Sequence, residues 1–125
     1  MRRLHLKDPI IEAGQFNNNQ EITFIRFPNP VRIGIGAFKD CRSLKAIDFD
    51  DGVGEIIIEG GAFDCCINLK DIHFMFKPET KVVIDDEAFR NTPQQITFHV
   101  PAYKETFAGL EEFAKKHNYK IQRHL

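Results

Sequence analysis

IGIGAFKDCRSLKAIDF (33–49) and IEGGAFDCCINLKDIHF (58–74) are one phrase written twice. Both place Gly-Ala-Phe first, Cys three residues after that Phe, and then Leu, Ile and Phe at matching distances. Anchoring on Phe16, Phe38, Phe63 and Phe89 extends the phrase in both directions with steps of 22, 25 and 26 residues. Seven and five residues before the anchor stand Pro9 and Ile11, Val31 and Ile33, Ile56 and Ile58, Val82 and Ile84. Six, nine and eleven residues after it stand Ile22, Ile25 and Phe27; Leu44, Ile47 and Phe49; Leu69, Ile72 and Phe74; and Gln95, Phe98 and Val100, where Gln95 alone breaks the apolar pattern.

These spacings carry physical content. Apolar residues nine and eleven after the anchor alternate with polar neighbours, so each repeat supplies a strand with one inward face. The pair before the anchor predicts a second short extended segment. Between the two, Ala-Phe-x-x-Cys is too short for a helix and predicts a helical turn that tucks its Phe beneath the coil. One such coil has no second layer in which to bury its apolar groups, so the coils must stack.

The repeat resembles the BspA-like leucine-rich repeats, whose phrase runs I-x-x-I-x-x-x-A-F-x-x-C-x-x-L-x-x-I-x-I. Ile33, Ala37, Phe38, Cys41, Leu44, Ile47 and Phe49 carry it here, and Ile58, Ala62, Phe63, Cys66, Leu69, Ile72 and Phe74 carry it again. The flanking copies depart from it: Asn19 and Thr92 replace Cys, and Gln15 replaces Ala. The resemblance implies an α/β repeat of the leucine-rich-repeat type: a right-handed, β-rich solenoid arc with a parallel sheet, short helical turns and a C-terminal capping helix. It divides a single domain into a half-repeat over 1–8, repeats over 9–30, 31–54, 55–80 and 81–101, and a helical cap over 102–125.

Leu4 and Leu6 stand where the strand of a preceding repeat belongs, so the chain begins within a repeat and without a polar capping helix. An uncovered strand edge seeks a partner. Either a second copy covers it, as a homodimer, or the chain is the tail of a longer protein. At the other end, Val100, Pro101 and Ala102 match a Val-Pro-Ala phrase common where BspA-like chains finish. Tyr103, Phe107, Leu110, Phe113 and Ala114 then recur at helical spacing, predicting a helix over 103–117, and Tyr119 and Ile121 predict a short closing strand.

Composition narrows the class. The 125 residues include twelve Phe and no Trp, with 42% hydrophobic and 28% charged residues and a formal net charge of -1. The charge is uneven: 46–64 hold six acids and no base, whereas 1–45 hold eight Lys/Arg against four acids. No basic stripe supports nucleic-acid binding, and no apolar run is long enough for membrane insertion. MRRLHLKDP lacks the apolar core of a signal peptide, which suggests the cytoplasm, whereas the family resemblance suggests a bacterial cell surface or secretion. Three Cys, two of them adjacent at 65 and 66, do not form a complete disulfide framework. Cys41 and Cys66 are expected to point into the coil as small structural groups, leaving Cys65 as the candidate exposed thiol.

Function is sought on the outward side of the stacked strands. Ten residues after each anchor the column reads Arg26, Asp48, His73 and His99, with His5 in the half-repeat; eight after, it reads Arg3, Phe24, Ala46, Asp71 and Thr97. Three readings of His5, Phe24, Arg26, Asp48, Asp71, His73 and His99 stand side by side. They form a solvated sheet face belonging to an intracellular scaffold without a dedicated ligand, a recognition surface for a protein or glycan, or a metal-dependent hydrolytic site built on Asp48, His73 and His99. A straight ladder converges poorly on one tetrahedral point, which disfavours the last. The loop DFDDGVGE (48–55) fails the spacing of a calcium-binding EF-hand and suits an Asp-Gly turn. No nucleophile elbow, zinc-protease helix or phosphate loop is present, and no cofactor motif. The expectation is a non-enzymatic binding module, for which the resemblance implies adhesion or protein interaction at a bacterial surface.

Overall fold

Each Gly-Ala-Phe turn makes two kinds of backbone hydrogen bond at once, and this explains why the phrase repeats. Within the turn, Ala37, Lys39 and Cys41 donate to the carbonyls three residues back, those of Gly34, Gly36 and Phe38. The residues between them donate to the next coil instead: Gly36 to Gly60, Phe38 to Ala62 and Asp40 to Asp64. The same alternation links Gly61, Phe63 and Cys65 to Glu87, Ala88 and Arg90. Such a path needs left-handed backbone on either side of the anchor. Gly14, Gly36 and Gly61 supply it two residues before, and Asn18, Asp40, Cys65 and Asn91 supply it two residues after.

A computed structural model describes residues 2–52, 54–74, 80–92, 95–102 and 108–124. In chain order the elements are β1 (Arg2–His5), β2 (Ile10–Ile11), β3 (Ile22–Phe27), β4 (Val31–Ile33), β5 (Ala46–Phe49), β6 (Glu55–Ile58), β7 (Asp71–His73), β8 (Lys81–Ile84), β9 (Thr97–Pro101), α1 (Ala108–His117) and β10 (Lys120–His124). Alternate strands form two parallel sheets, one ordered β1-β3-β5-β7-β9-β10 and the other β2-β4-β6-β8. The chain is a parallel-strand β-solenoid of leucine-rich-repeat type, with one short helix, α1, among the described residues.

The core lies between the sheets and the turns. Phe16, Phe38, Phe63 and Phe89 stack face to face with centroids 5.1, 5.4 and 5.3 Å apart. Phe27, Phe49 and Phe74 form a second pile at 5.5 Å per step. Phe98 then meets Phe74 edge-on at 5.1 Å. The Cys column is structural, as expected: the Cys41 and Cys66 thiols are buried and donate to the carbonyls of Phe16 and Phe38 in the preceding coil, at 3.3 and 3.2 Å. Burial pushes both thiols above the usual range. At the same column Asn19 accepts from the backbone N–H groups of Glu21 and Ile22, and Thr92 donates to the Phe89 carbonyl.

Several expectations change. Pro9 is exposed, and β2 begins at Ile10, so only Ile11 of that pair turns inward. The irregular Gln95 is exposed with its amide on the Asn118 carbonyl, while the following residue, Ile96, enters the fully buried slot held by Leu44 and Leu69 in earlier coils. Of the predicted 103–117 helix, α1 covers Ala108–His117, with Leu110, Phe113 and Ala114 buried; Tyr103 and Phe107 lie outside the described residues. Asn118, left-handed, ends the helix, and the Tyr119 N–H returns to the Ala114 carbonyl. The closing strand is longer than Tyr119 and Ile121 indicated, running over Lys120–His124 alongside β9.

Cys65 is not an open, reactive thiol. It is half-buried, and its Sγ donates to Asp64 Oδ1 at 3.4 Å, a bond that, together with partial desolvation, pushes the thiol above its ordinary range. Its backbone sits in the left-handed column otherwise held by Asn, Asp and Asn. Cys65→Asn is therefore expected to stabilise the fold by about 0.5–1 kcal/mol, read as a higher urea midpoint with unchanged slope.

Candidate functional site

Strand pairing places the predicted column on adjacent rungs: His5 faces Arg26, Arg26 faces Asp48, Asp48 faces His73, and His73 faces His99. Gln122 of β10 extends it by one rung. The parallel column aligns Arg3, Phe24, Ala46, Asp71, Thr97 and Lys120. All seven candidate residues thus share the outward face of the six-stranded sheet, but they divide into two groups.

The group over β1, β3 and β5 is open. Asp50, just beyond β5, accepts from Arg26 Nε at 2.7 Å and lies 2.9 Å from His5 Nε2. Desolvation alone would raise the Asp50 carboxyl, yet the hydrogen bonds from His5 and Arg26 outweigh it and hold the group below the usual carboxylate range. Phe24 is roofed by the Arg3 guanidinium, 4.2 Å from the ring centroid. Arg3, Leu4, His5, Phe24, Arg26 and Asp48 line a depression of about 300 Å³. Asp48 turns one oxygen back to the N–H of Phe49 at 2.8 Å.

The group over β7, β9 and β10 is closed on itself. His73 and His99 stack with centroids 4.3 Å apart, and His124 lies 5.0 Å beyond His99. His99 is 9% exposed. Its Nε2 donates to Asp71 Oδ1 at 2.7 Å, and its Nδ1 accepts from His124 Nε2 at 2.8 Å, the assignment consistent with both contacts. Both ring nitrogens of His99 are thus engaged by protein partners, Asp71 and His124, and neither bond is to Asp48 or His73. Among the described residues no group of three or more His, Cys, Asp or Glu side chains is placed to hold a metal ion. No described helix is long and apolar enough to cross a membrane.

Burial lowers the His73 pKa, and the neighbouring His99 and His124 add to this, while Asp48 and Asp71 oppose it. A depressed folded value means that the unfolded chain takes up the proton first. The stability contributed by neutral His73 is thus present above the ordinary histidine range, about 6.5, and declines as pH falls below it. Urea midpoints between pH 7.5 and 5.0 are expected to fall for the wild type and to fall less for His73→Gln.

Asp50 and His124 escaped sequence reading. His124 lies 25 residues after His99, one repeat step, which signals that it returns to the same face; Asp50 directly follows the inward Phe49 but belongs to neither outward column. Asp64 was also missed: it and Arg90 occupy the position after the anchor in consecutive repeats, with opposite charge.

Two parallel sheets in register, joined by stacked helical turns and displaying side chains on an outward face, define a leucine-rich-repeat solenoid. The chain belongs to the BspA type leucine rich repeat region (6 copies) family, whose model matches residues 9–120. No curated protein and no solved structure matches it. Such membership suggests a repeat-based interaction module, and solenoids of this family are generally non-catalytic.

Proposed function

We propose that the chain is a non-enzymatic interaction module that holds a protein partner against the outward face of its six-stranded sheet, over β1, β3 and β5. The observation that carries this reading is the open depression of Arg3, His5, Phe24, Arg26 and Asp48, where charges of both signs flank an aromatic ring on a rigid ladder. The imidazole stack beyond it spends its hydrogen bonds internally and contributes rigidity. Attachment to a protein or glycan in bacterial surface adhesion is the finer form of the proposal, and it rests on the family alone.

The test is a capture screen of protein and glycan ligands on immobilised wild type, repeated with Arg26→Glu and Phe24→Ala after circular dichroism shows an unchanged fold. A ligand held by this face is expected to bind about tenfold more weakly to either variant. Ligands retained equally by all three chains would remove the reading. A homodimer through β1 is a second proposal, favoured by that strand's place at the outer edge of its sheet. Sedimentation showing a monomer at high protein concentration would dismiss it.

A further inference from the structure

We propose that the outward face of the other sheet, β2-β4-β6-β8, is a separate docking groove for a cationic peptide segment of a partner protein, one with aliphatic side chains set between Lys or Arg residues. Six residues before each anchor, Ile10, Arg32, Ile57 and Val83 stand opposite one another on consecutive rungs. Three large aliphatic side chains face water on this side of the molecule: Ile10 at 53%, Ile35 at 63% and Val83 at 42% exposure. Isolated apolar residues on a surface are ordinary, and Ile10, set apart by Arg32, is one of these; Ile35 and Val83, gathered with Ile57 in one concavity, mark a contact surface. Ile35, Ile57, Val83 and Ile84 form the floor of a groove of about 490 Å³.

The rim supplies the partner's charge. Glu59, Asp85 and Glu87 line the groove together with Arg90. Arg90 is already neutralised by Asp64, 3.0 Å away, and Arg32 approaches Glu59 at 3.6 Å. One Asp85 oxygen accepts the Glu87 backbone N–H, and no Lys or Arg among the described residues pairs with either carboxylate. Beyond Val83 and Ile84 a neighbouring depression continues to α1, where Glu112 adds a fourth acid and Lys116 is tied to Asp86. An apolar floor with an anionic rim favours aliphatic groups carried between cations and repels an acidic segment of equal hydrophobicity. Lys and Arg suit such a rim because their apolar stems lie along the floor while their charges reach the carboxylates.

The test uses methyl-labelled wild-type chain titrated with acetyl-Lys-Leu-Lys-Leu-Lys-amide and, separately, acetyl-Glu-Leu-Glu-Leu-Glu-amide. Saturable shifts of the Ile35, Ile57 and Val83 methyls are expected with the cationic peptide alone, tightening as salt is lowered from about 300 to 50 mM. Glu87→Lys and Ile35→Ser, both at exposed positions, are each expected to weaken that binding at least about threefold with the remaining methyl spectrum unchanged. Equal responses to both peptides, shifts centred on the six-stranded face, or full binding by both variants would overturn the proposal. Shifts of these methyls on concentrating the chain without peptide would also overturn it, assigning the groove to a second copy.

Discussion

Replacing Phe63 by Ala is expected to remove about 3–5 kcal/mol of folding stability. Phe63 is fully buried, with parallel ring contacts to Phe38 at 5.4 Å and Phe89 at 5.3 Å and an edge contact to Phe27 at 6.3 Å. Truncation removes the transfer energy of the ring and leaves a hole that the flanking backbone cannot close. The Phe63 N–H is bonded to the Ala88 carbonyl, and the Ala62 carbonyl takes the Phe38 N–H. The coil is therefore pinned on both sides at the place where it would need to collapse.

Position in the pile sets a second, sharper expectation. Phe16 ends the pile, is half-buried and stacks on Phe38 at 5.1 Å, so Phe16→Ala should cost only about 1–2 kcal/mol. In a quasi-one-dimensional fold each coil leans on its neighbours, so a lesion in the middle also weakens the coupling between the two ends. Urea unfolding of Phe63→Ala should accordingly show a lower midpoint and a shallower slope, whereas Phe16→Ala should shift the midpoint with the slope kept. Equal losses from the two variants would mean that the ring pile does not hold the coils together.

Whatever depends on spacing alone was legible in the chain. The Phe pile, the inward Ile and Leu columns and the rung-by-rung alignment of His5, Arg26, Asp48, His73 and His99 all follow from the repeat register, because a strand sends alternate residues to opposite faces. Contacts that run sideways between rungs were not legible, since they depend on which rotamer reaches which neighbour. Arg3 roofs Phe24, Asp50 draws in His5 and Arg26, and Asp71 meets His99 of the next rung. Two further misreadings share one cause, local irregularity: Ile96 replaces Gln95 in the core after a one-residue offset, and Pro9 precedes its strand. The outward aliphatic residues Ile10, Ile57 and Val83 were hidden because they alternate with the inward Ile and Val residues that define the repeat, and because Arg32 interrupts their column.

Asp64→Ala is expected to cost about 2–3 kcal/mol at neutral pH, for a reason opposite in kind to the Phe63 loss. The carboxylate is almost wholly buried, which by itself disfavours its charge, yet it receives Asn91 Nδ2 at 2.8 Å, the Cys65 thiol at 3.4 Å and Arg90 Nε at 3.0 Å. These bonds outweigh desolvation and hold its pKa below the usual range. Alanine would leave the Asn91 amide without this acceptor and unclamp Arg90 from the coil before it; because Arg90 is half exposed, water takes over part of its charge and keeps the loss below that of a fully buried pair. The pH dependence separates this account from simple loss of packing. A carboxyl whose folded pKa is depressed contributes stability that is complete above its unfolded value, about 3.9, and that vanishes as pH falls through the folded value. The gap between wild type and Asp64→Ala should thus be full at pH 7 and narrow steadily below pH of about 4. A gap that stays constant down to pH of about 2 would show that the charge contributes nothing and that only the volume of the side chain matters.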